Sequence, residues 1–239
     1  MQVQTKAIVL ASLKYGDSGL IVHCFTLESG MKSYMLRGLL KSKKGKLRPA
    51  YFQPLTQLEL VASHSNKGAL NSIKDASVYQ GYTSLYSDFV KQSIVFFISE
   101  MLFNVVKEEE QNTDLYTFIE TSVNWLDLHD KVANFHLVFL MNLTRYLGFY
   151  PDDAFADDTC FNLTDGVFTN ESFLGPALVG EDLLLFKQVL GTKFDKAHML
   201  SLNVHSRQAI LDVLLKYYEL HVVNFRRPKS IEVLKNLFV

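Results

Sequence analysis

The chain has 239 residues, of which 48% are hydrophobic, 13% aromatic and 21% charged, with a formal net charge of -1. This is the composition of a globular protein with a core, and it excludes a disordered, collagen-like or low-complexity chain. Cys24 and Cys160 are too few for a disulfide framework or for a zinc site of cysteines alone, which favours a reducing cytoplasm. The most apolar run, 93–106, is too short to span a membrane, and the N-terminal apolar stretch is too short for a secretory signal.

Charge is distributed unevenly along the chain. Residues 1–80 contain 11 Lys+Arg and 4 Asp+Glu, a balance of +7, whereas the remainder contains 13 and 21, a balance of -8. Concentrated positive charge in the first third favours an anionic partner for that third. The alternative is two unlike domains whose charges balance for solubility, and charge alone does not separate the two interpretations.

The first third of the chain predicts β structure. Turn residues at 16–19 and 29–30 separate segments rich in strand-forming residues, and Leu58 and Leu60 alternate with polar neighbours. The five predicted strands lie at 6–16, 20–28, 31–38, 55–63 and 69–77, the last after a turn at 66–68. Five short strands predict a small closed barrel, because closure removes the exposed edges of such a sheet.

After about residue 80 the apolar residues recur every three or four positions, which predicts helices. The predicted helices cover 94–105, 115–126 after an N-cap at 112–114, 131–147, 181–190, a segment capped by Ser206 and a last segment opened by Pro228. The irregular stretch 151–180 is predicted to be a loop or hairpin insertion.

The most informative segment is a basic loop between residues 37 and 48, which contains no acid. Its cations are Arg37, Lys41, Lys43, Lys44, Lys46 and Arg48. Such a cluster is favoured when phosphates neutralise it and release condensed counterions. Tyr34 and Tyr51 flank the loop, where bases would stack on them. A solvated basic loop with both tyrosines in the core is the alternative, although a five-stranded barrel favours oligonucleotide binding.

Catalytic and metal-site patterns are missing from the sequence. Gly38 and Gly45 are too far apart for a phosphate-binding NTPase loop, and Leu47 stands where a magnesium-binding Ser or Thr is required. The histidines lack metal-ligand spacing, no serine lies in a nucleophile elbow, and the aspartates of 152–158 lack the spacing of a calcium loop. We therefore expect no enzyme activity, no metal and no cofactor.

Three segments of the sequence resemble a known family. The opening 6–44, with its Tyr-Gly-Asp turn, Phe-Thr-x-Glu-x-Gly hairpin and Arg-Gly followed by lysines, is similar to the start of the RecO proteins of bacterial DNA repair and recombination. The segment 47–61 and the closing 217–234, with Lys229-Ser230, also resemble this family. The resemblance is specific in the first forty residues and looser in the helical middle.

The resemblance implies an α+β protein with an N-terminal OB-fold at 1–79 and a helical domain at 80–239. It also implies a small zinc-ribbon-like insertion, which we place at 151–180. Many members carry four cysteines there, whereas this chain has Cys160 alone. We therefore expect the insertion to persist as a metal-free hairpin.

The resemblance further implies binding of single- and double-stranded DNA, annealing of complementary strands, and action with RecR to load RecA on strands coated by single-strand binding protein. By position, the DNA-contacting residues would be the six cations of the basic loop together with Lys6, Lys14, Tyr34 and Tyr51. The acidic, hydrophobic tail of single-strand binding protein would contact the helical domain near Arg145, Arg226, Arg227 and Lys229. Such a protein would be cytoplasmic and associated with the bacterial nucleoid.

Two other functions fit the same sequence. A non-enzymatic adaptor would dock protein partners through its acidic helical part, with a purely structural barrel. An RNA-binding barrel would share the electrostatics of the basic loop, because only contacts to the 2′-hydroxyl distinguish the two nucleic acids.

Overall fold

A computed structural model of the protein describes residues 1–41, 46–65, 70–154 and 156–237. The chain divides into two compact units, one formed by Met1–Leu128 with Pro228–Ser230 and the other by His129–Arg227 with Ile231–Val239. None of the helices in the described ranges is long and apolar enough to cross a membrane.

The first unit begins with a five-stranded antiparallel sheet of order β3-β2-β1-β4-β5. Its strands are β1 (Gln2–Tyr15), β2 (Gly19–Thr26), β3 (Gly30–Leu36), β4 (Gln57–Ser63) and β5 (Ser72–Gln80). Alternate side chains of each strand point to one face, so Ala7, Val9 and Leu58 are fully buried while Lys6 and Glu59 are exposed. A sheet followed by helices is the α+β class that the sequence predicts.

The sheet is not closed into a continuous barrel, which differs from the sequence prediction. In the described part of the chain, the edge strands β3 and β5 form no ladder, and an isolated parallel bridge links Tyr34 to Asn71, the residue before β5. The Asn71 amide donates to the Ser33 carbonyl at 3.0 Å, and the Met35 amide donates to the Asn71 carbonyl at 2.9 Å. The predicted fifth strand also begins later than expected, at Ser72, and its predicted first residue, Ala69, lies outside the described residues.

Two helices complete the first unit, α1 (Phe89–Val105) and α2 (Thr113–Leu128). The buried carboxylate of Asp127, near the end of α2, accepts hydrogen bonds from the backbone amides of Thr83, Ser84 and Leu85. The buried Lys91 ammonium donates to the Asp127 carbonyl at 2.8 Å and to the Ser84 hydroxyl at 2.6 Å. These bonds fix the segment that connects the sheet to α1.

The second unit is built from α3 (Phe135–Tyr146), α4 (Gly180–Val189), α5 (Val204–His221) and α6 (Ile231–Leu237). The buried Tyr218 hydroxyl of α5 donates to the Leu140 carbonyl of α3 at 2.8 Å. The side-chain amide of Asn134, just before α3, donates to the carbonyls of Ala197 and Leu200 at 3.0 and 2.9 Å. Packing of α5 against α3 and α4 forms the core of this unit.

Two predicted helix starts are wrong. Asn203 rather than Ser206 caps α5, because the Asn203 side chain accepts from the Ser206 amide at 2.8 Å. The last helix begins at Ile231 and not at Pro228, since Ser230 donates from its amide and its hydroxyl to the Glu100 carboxylate of the first unit.

The stretch 151–180 contains more structure than the predicted hairpin. Three short strands, β6 (Cys160–Asn162), β7 (Val167–Thr169) and β8 (Ala177–Val179), form an antiparallel sheet of order β7-β6-β8. The fully buried Phe161 ring lies with its centroid 4.8 Å from that of Phe168 and 4.7 Å from that of Phe186. This aromatic cluster packs the small sheet against α4.

Candidate nucleic-acid interface

The hairpin between β1 and β2 and the end of β3 form one end of the sheet. Lys14 pairs with Leu20, and Leu20 pairs with Leu36, so the three residues lie side by side across three strands. Arg37 follows directly, and a short 3₁₀ turn over Leu39–Lys41 comes next. The Leu40 amide donates to the Ser18 carbonyl of the hairpin at 3.0 Å. This geometry brings the start of the basic loop beside the β1–β2 hairpin.

The end of the basic loop is held against the sheet. Leu47 packs on the core, and Phe52, in a 3₁₀ turn over Pro49–Phe52, is buried. The Ser12 hydroxyl of β1 donates to the Phe52 carbonyl at 2.6 Å. Lys46 and Arg48 flank the anchoring Leu47 and are exposed. The loop is therefore fixed to the sheet at both of its described ends.

The described cations of this end are exposed and lack carboxylate partners. They are Lys14, Arg37, Lys41, Lys46 and Arg48. None of them takes part in a salt bridge within the ranges that the structure describes. The predicted contacts Lys43 and Lys44 lie outside those ranges. The result is an open concentration of positive charge, of the kind that polyanions neutralise.

Lys6 differs from these cations because its charge is balanced within the protein. Its ammonium lies 3.6 Å from the Glu120 carboxylate and 4.4 Å from the centroid of the Tyr79 ring. Tyr79 in turn donates a hydrogen bond to the same carboxylate, and burial raises the pKa of the Tyr79 hydroxyl, followed by its hydrogen bond to Glu120. The structure therefore separates Lys6 from the free cations near the hairpin.

Of the two predicted stacking tyrosines, Tyr34 is inaccessible to bases, whereas the stacking role of Tyr51 stays a prediction. Tyr34 is 0% exposed, and its hydroxyl forms a 2.9 Å hydrogen bond with Nε2 of His64. Burial raises the pKa of Tyr34, and it also lowers the pKa of His64. Tyr51 is half-buried and packs against the same core. A base cannot stack on Tyr34 at this position, because its side chain points to the inner face of β3.

Sequence reasoning missed Tyr15, the last residue of β1, which is 57% exposed. Two apolar neighbours at this end, Leu13 and Leu40, are 53% and 41% exposed. A signal was present in the sequence: a tyrosine directly before a Gly-Asp turn lies at the tip of a hairpin, where the core ends.

The opposite end of β3 is acidic. The Met31 amide donates to the Glu108 carbonyl at 2.9 Å, which brings the connection between α1 and α2 across the start of β3. Lys32 is paired there with Glu109 at 2.9 Å, and Glu28 and Glu110 are exposed nearby. The six residue steps of β3 separate the acidic and basic ends by about 20 Å.

A groove of about 670 Å³ lies at this acidic end. Its lining combines the N-terminal amine, Lys32 and His64 with the carboxylates of Glu28 and Glu109. Mixed charge of this kind does not match a polyanion, so the groove is distinct from the basic interface.

The cations predicted to bind a protein tail occupy different environments. Arg145 is exposed at the end of α3, with its guanidinium 3.8 Å from the centroid of the Tyr150 ring. Arg227 is paired with Glu219 at 2.5 Å and with Asp212 at 3.6 Å, and its hydrogen bond lowers the pKa of Glu219. Arg226 and Lys229 are exposed, but Lys229 belongs to the first unit. The structure does not bring these four cations together in one unit.

Metal-ligating side chains do not converge in the described parts of the chain, where no group of three or more His, Cys, Asp or Glu could hold an ion. Cys160 is partly buried at the start of β6. Cys24 is fully buried in β2, and burial raises the pKa of its thiol. Aromatic packing around Phe161 therefore accounts for the small sheet among the described residues, where no group of metal ligands is found.

An N-terminal five-stranded antiparallel sheet with a basic end, followed by helices and a small inserted sheet, defines an α+β protein of two parts. Residues 1–82 match the family model for the recombination protein O N terminal, and residues 86–230 match that for the recombination protein O C terminal. The chain therefore belongs to the RecO family of DNA repair and recombination proteins.

Curated relatives match the chain over its whole length and over theirs. The DNA repair protein RecO of Christiangramia forsetii is 47% identical over 238 residues, and that of Flavobacterium psychrophilum is 44% identical over 238 residues. The DNA repair protein RecO of Bacteroides fragilis is 35% identical over 247 residues.

Proposed function

We propose that the protein is a DNA-binding recombination mediator. In this proposal it binds single- and double-stranded DNA, anneals complementary strands and, with RecR, helps to load RecA on strands coated by single-strand binding protein. Membership of the RecO family supports a role in DNA repair and recombination. The observation that carries the DNA-binding part is the set of exposed cations at one end of the sheet, without salt-bridge partners among the described residues.

The proposed roles of the two parts of the protein follow the distribution of charge along the chain. Residues 1–79 bind nucleic acid, and residues 80–239 form the helical domain that meets protein partners. Lys14, Arg37, Lys41, Lys46 and Arg48 contact phosphates, and Lys43 and Lys44 of the same loop join them. Lys6 contributes less, because Glu120 already balances its charge. The protein acts in the bacterial cytoplasm at the nucleoid.

Annealing follows from the electrostatics of this end. Two complementary strands repel each other through their phosphates, and a shared cluster of cations reduces that repulsion while pairing begins. Binding to phosphates carries no sequence information, so any complementary pair is a substrate. This mechanism requires no covalent step and no cofactor, in keeping with a non-enzymatic mediator.

The proposal is tested by an annealing assay with salt titration on a Lys41→Glu/Lys46→Glu variant. We expect slower annealing and weaker binding to every sequence, and a salt-dependence slope that falls by about 1.4 if two phosphate contacts are lost on single strands. The matched control is Lys193→Glu/Lys196→Glu, which makes the same change in net charge at two exposed lysines of the second unit. The control is expected to behave like the native protein.

The outcomes separate the alternatives. Native affinity and slope in the Lys41→Glu/Lys46→Glu variant would remove the basic loop from the interface and favour the adaptor with a structural barrel. Equal affinity for matched RNA and DNA single strands would favour a general single-strand binder, because the 2′-hydroxyl is then not recognised.

The helical domain is proposed to contact the tail of single-strand binding protein near Arg145, Arg226, Arg227 and Lys229. Arg227 is the weakest of these, because Glu219 and Asp212 already neutralise it. An Arg145→Glu/Arg226→Glu variant should bind a tail peptide more weakly than the native protein. Unchanged peptide affinity would remove both residues from the proposed contact.

A further inference from the structure

The basic end of the sheet carries exposed apolar side chains as well as cations. Leu13, Tyr15 and Leu40 are 53%, 57% and 41% exposed. Lys14 lies between two of them in β1, and Lys41 follows the third. A charged surface that contacts only water does not need exposed apolar side chains among its cations. A surface that binds nucleotides uses both, because cations contact phosphates and apolar or aromatic side chains contact bases.

The position of Tyr15 is set by the hairpin. Tyr15 pairs with Gly19 across the turn, and burial along β1 decreases toward this tip, so that Leu13, Lys14 and Tyr15 are all exposed. A Cβ atom at position 19 would lie 2.8 Å from the Tyr15 carbonyl oxygen and 3.6 Å from Cδ1 of its ring. The ring thus lies beside a residue without a side chain, and Tyr15 as a whole residue is more than half exposed.

We propose that the Tyr15 ring stacks on an unpaired base while Arg37 and Lys41 hold the neighbouring phosphates. This inference rests on the proposed function and adds specificity to it. Bases in a duplex are already stacked and are covered by the backbone, so only single strands gain the contact with the ring. Tyr15 then makes the basic end prefer single strands, whereas the cations alone bind both forms.

The flanking side chains support this arrangement. The Leu40 amide is bonded to the Ser18 carbonyl, in the turn that follows Tyr15, so the 3₁₀ turn that carries Lys41 is fixed to the same hairpin and does not depend on DNA for its position. Preorganised phosphate contacts next to an exposed ring lower the entropy lost when a strand binds.

The test compares Tyr15→Ala, Tyr15→Phe and Tyr15→Leu in the full-length protein. The probes are an oligothymidylate, an abasic oligonucleotide of equal length and a duplex. Tyr15→Ala and Tyr15→Leu should bind oligothymidylate about tenfold more weakly, which corresponds to the loss of one stacked base. Tyr15→Phe should keep native affinity, because the ring remains. Binding to the abasic strand and to the duplex should be unchanged in all three variants.

The matched control is Phe89→Ala, which removes an aromatic ring that is 68% exposed on α1. It should bind all three probes like the native protein. Native affinity of Tyr15→Ala for oligothymidylate, or an equal loss on the abasic strand, would overturn the role of Tyr15 and leave DNA binding intact. Failure of the native protein to bind any probe would instead overturn the proposed function itself.

Discussion

Replacement of Asp127 should destabilise the first unit, and the structure sets the size of the effect. Its carboxylate accepts from the amides of Ser84 and Leu85, both at 2.8 Å, and from the Thr83 amide at 2.9 Å. Thr83 is exposed, so water replaces its lost partner, whereas Leu85 is buried and Ser84 half-buried. Each amide left without a partner away from water costs about 1–3 kcal/mol. Asp127→Ala should therefore lower the free energy of unfolding by about 2–4 kcal/mol.

Asp127→Asn separates hydrogen bonding from charge. The amide oxygen still accepts from Ser84 and Leu85, so its cost should be smaller, about 1–2 kcal/mol. Burial raises the pKa of Asp127, but the hydrogen bonds from Thr83, Ser84 and Leu85 outweigh it and place this pKa below its ordinary value. The carboxylate therefore stabilises the fold fully above its unfolded pKa of about 3.9, and this contribution is lost as the pH falls through the lower folded pKa.

The assay is urea denaturation followed by circular dichroism, at neutral pH and at a series of acid pH values. The control is Asp130→Ala, which removes an exposed carboxylate close in sequence and should change stability by less than about 0.5 kcal/mol. If Asp127→Ala also stays within that limit, or if the difference between Asp127→Asn and native protein grows in acid, the reasoning from these hydrogen bonds is refuted.

Two further predictions concern packing, and a third concerns metal in the insertion. Gly30→Ala should lower stability by about 2 kcal/mol or more in the same denaturation assay, because φ is left-handed there and a Cβ would overlap the Glu110 carbonyl. Phe161→Ala should destabilise the second unit by about 3–5 kcal/mol, measured by thermal denaturation, because its ring packs against Phe168 and Phe186. A chelator should not change the melting of the native insertion, whereas stoichiometric zinc in the purified protein would contradict a metal-free insertion.

Each packing prediction has a matched control. Gly81→Ala adds the same methyl group where nothing lies within 4 Å and φ is ordinary, so its stability should change by less than about 0.5 kcal/mol. Phe89→Ala removes an exposed ring and should cost far less than Phe161→Ala. Equal losses in either pair would show that the sites do not differ in packing as the structure indicates.

Periodicity predicted the elements whose burial is one-sided. Leu58 and Leu60 alternate with polar residues, and β4 is buried at those two positions as expected. The residues of α1 recur at helical spacing because one face packs on β1, where the Ser99 hydroxyl donates to the Leu10 carbonyl. The apolar periodicity of a long element with one buried face can be recognised in the sequence without knowing which elements pack against it.

Other features depended on tertiary contacts that no local pattern records. The side of β3 on which Tyr34 lies was not evident from 31–38, because most of its residues are only partly buried. Each strand of the insertion has three residues, too few for a period. Among the described residues, an isolated bridge at Asn71 also stands where a closed barrel would have a ladder between β3 and β5, and strand patterns do not reveal this.

The basic residues at this end of the sheet were predictable because charge clusters are visible in sequence, but their geometry was not. That the 3₁₀ turn carrying Lys41 is bonded to the β1–β2 hairpin follows from the bond between Leu40 and Ser18, which no spacing rule anticipates. Tyr15 was missed because exposure at a hairpin tip depends on where the core ends.

If the basic end binds DNA as proposed, the acidic connection at the start of β3 limits how much DNA one molecule covers. A strand running the length of β3 would then pass from cations to the exposed Glu108 and Glu110, which repel its phosphates. The polymer is therefore directed across the tip of the sheet and away from its flank. We expect an occluded length toward the short end of the range for OB-folds, about 4–16 nucleotides.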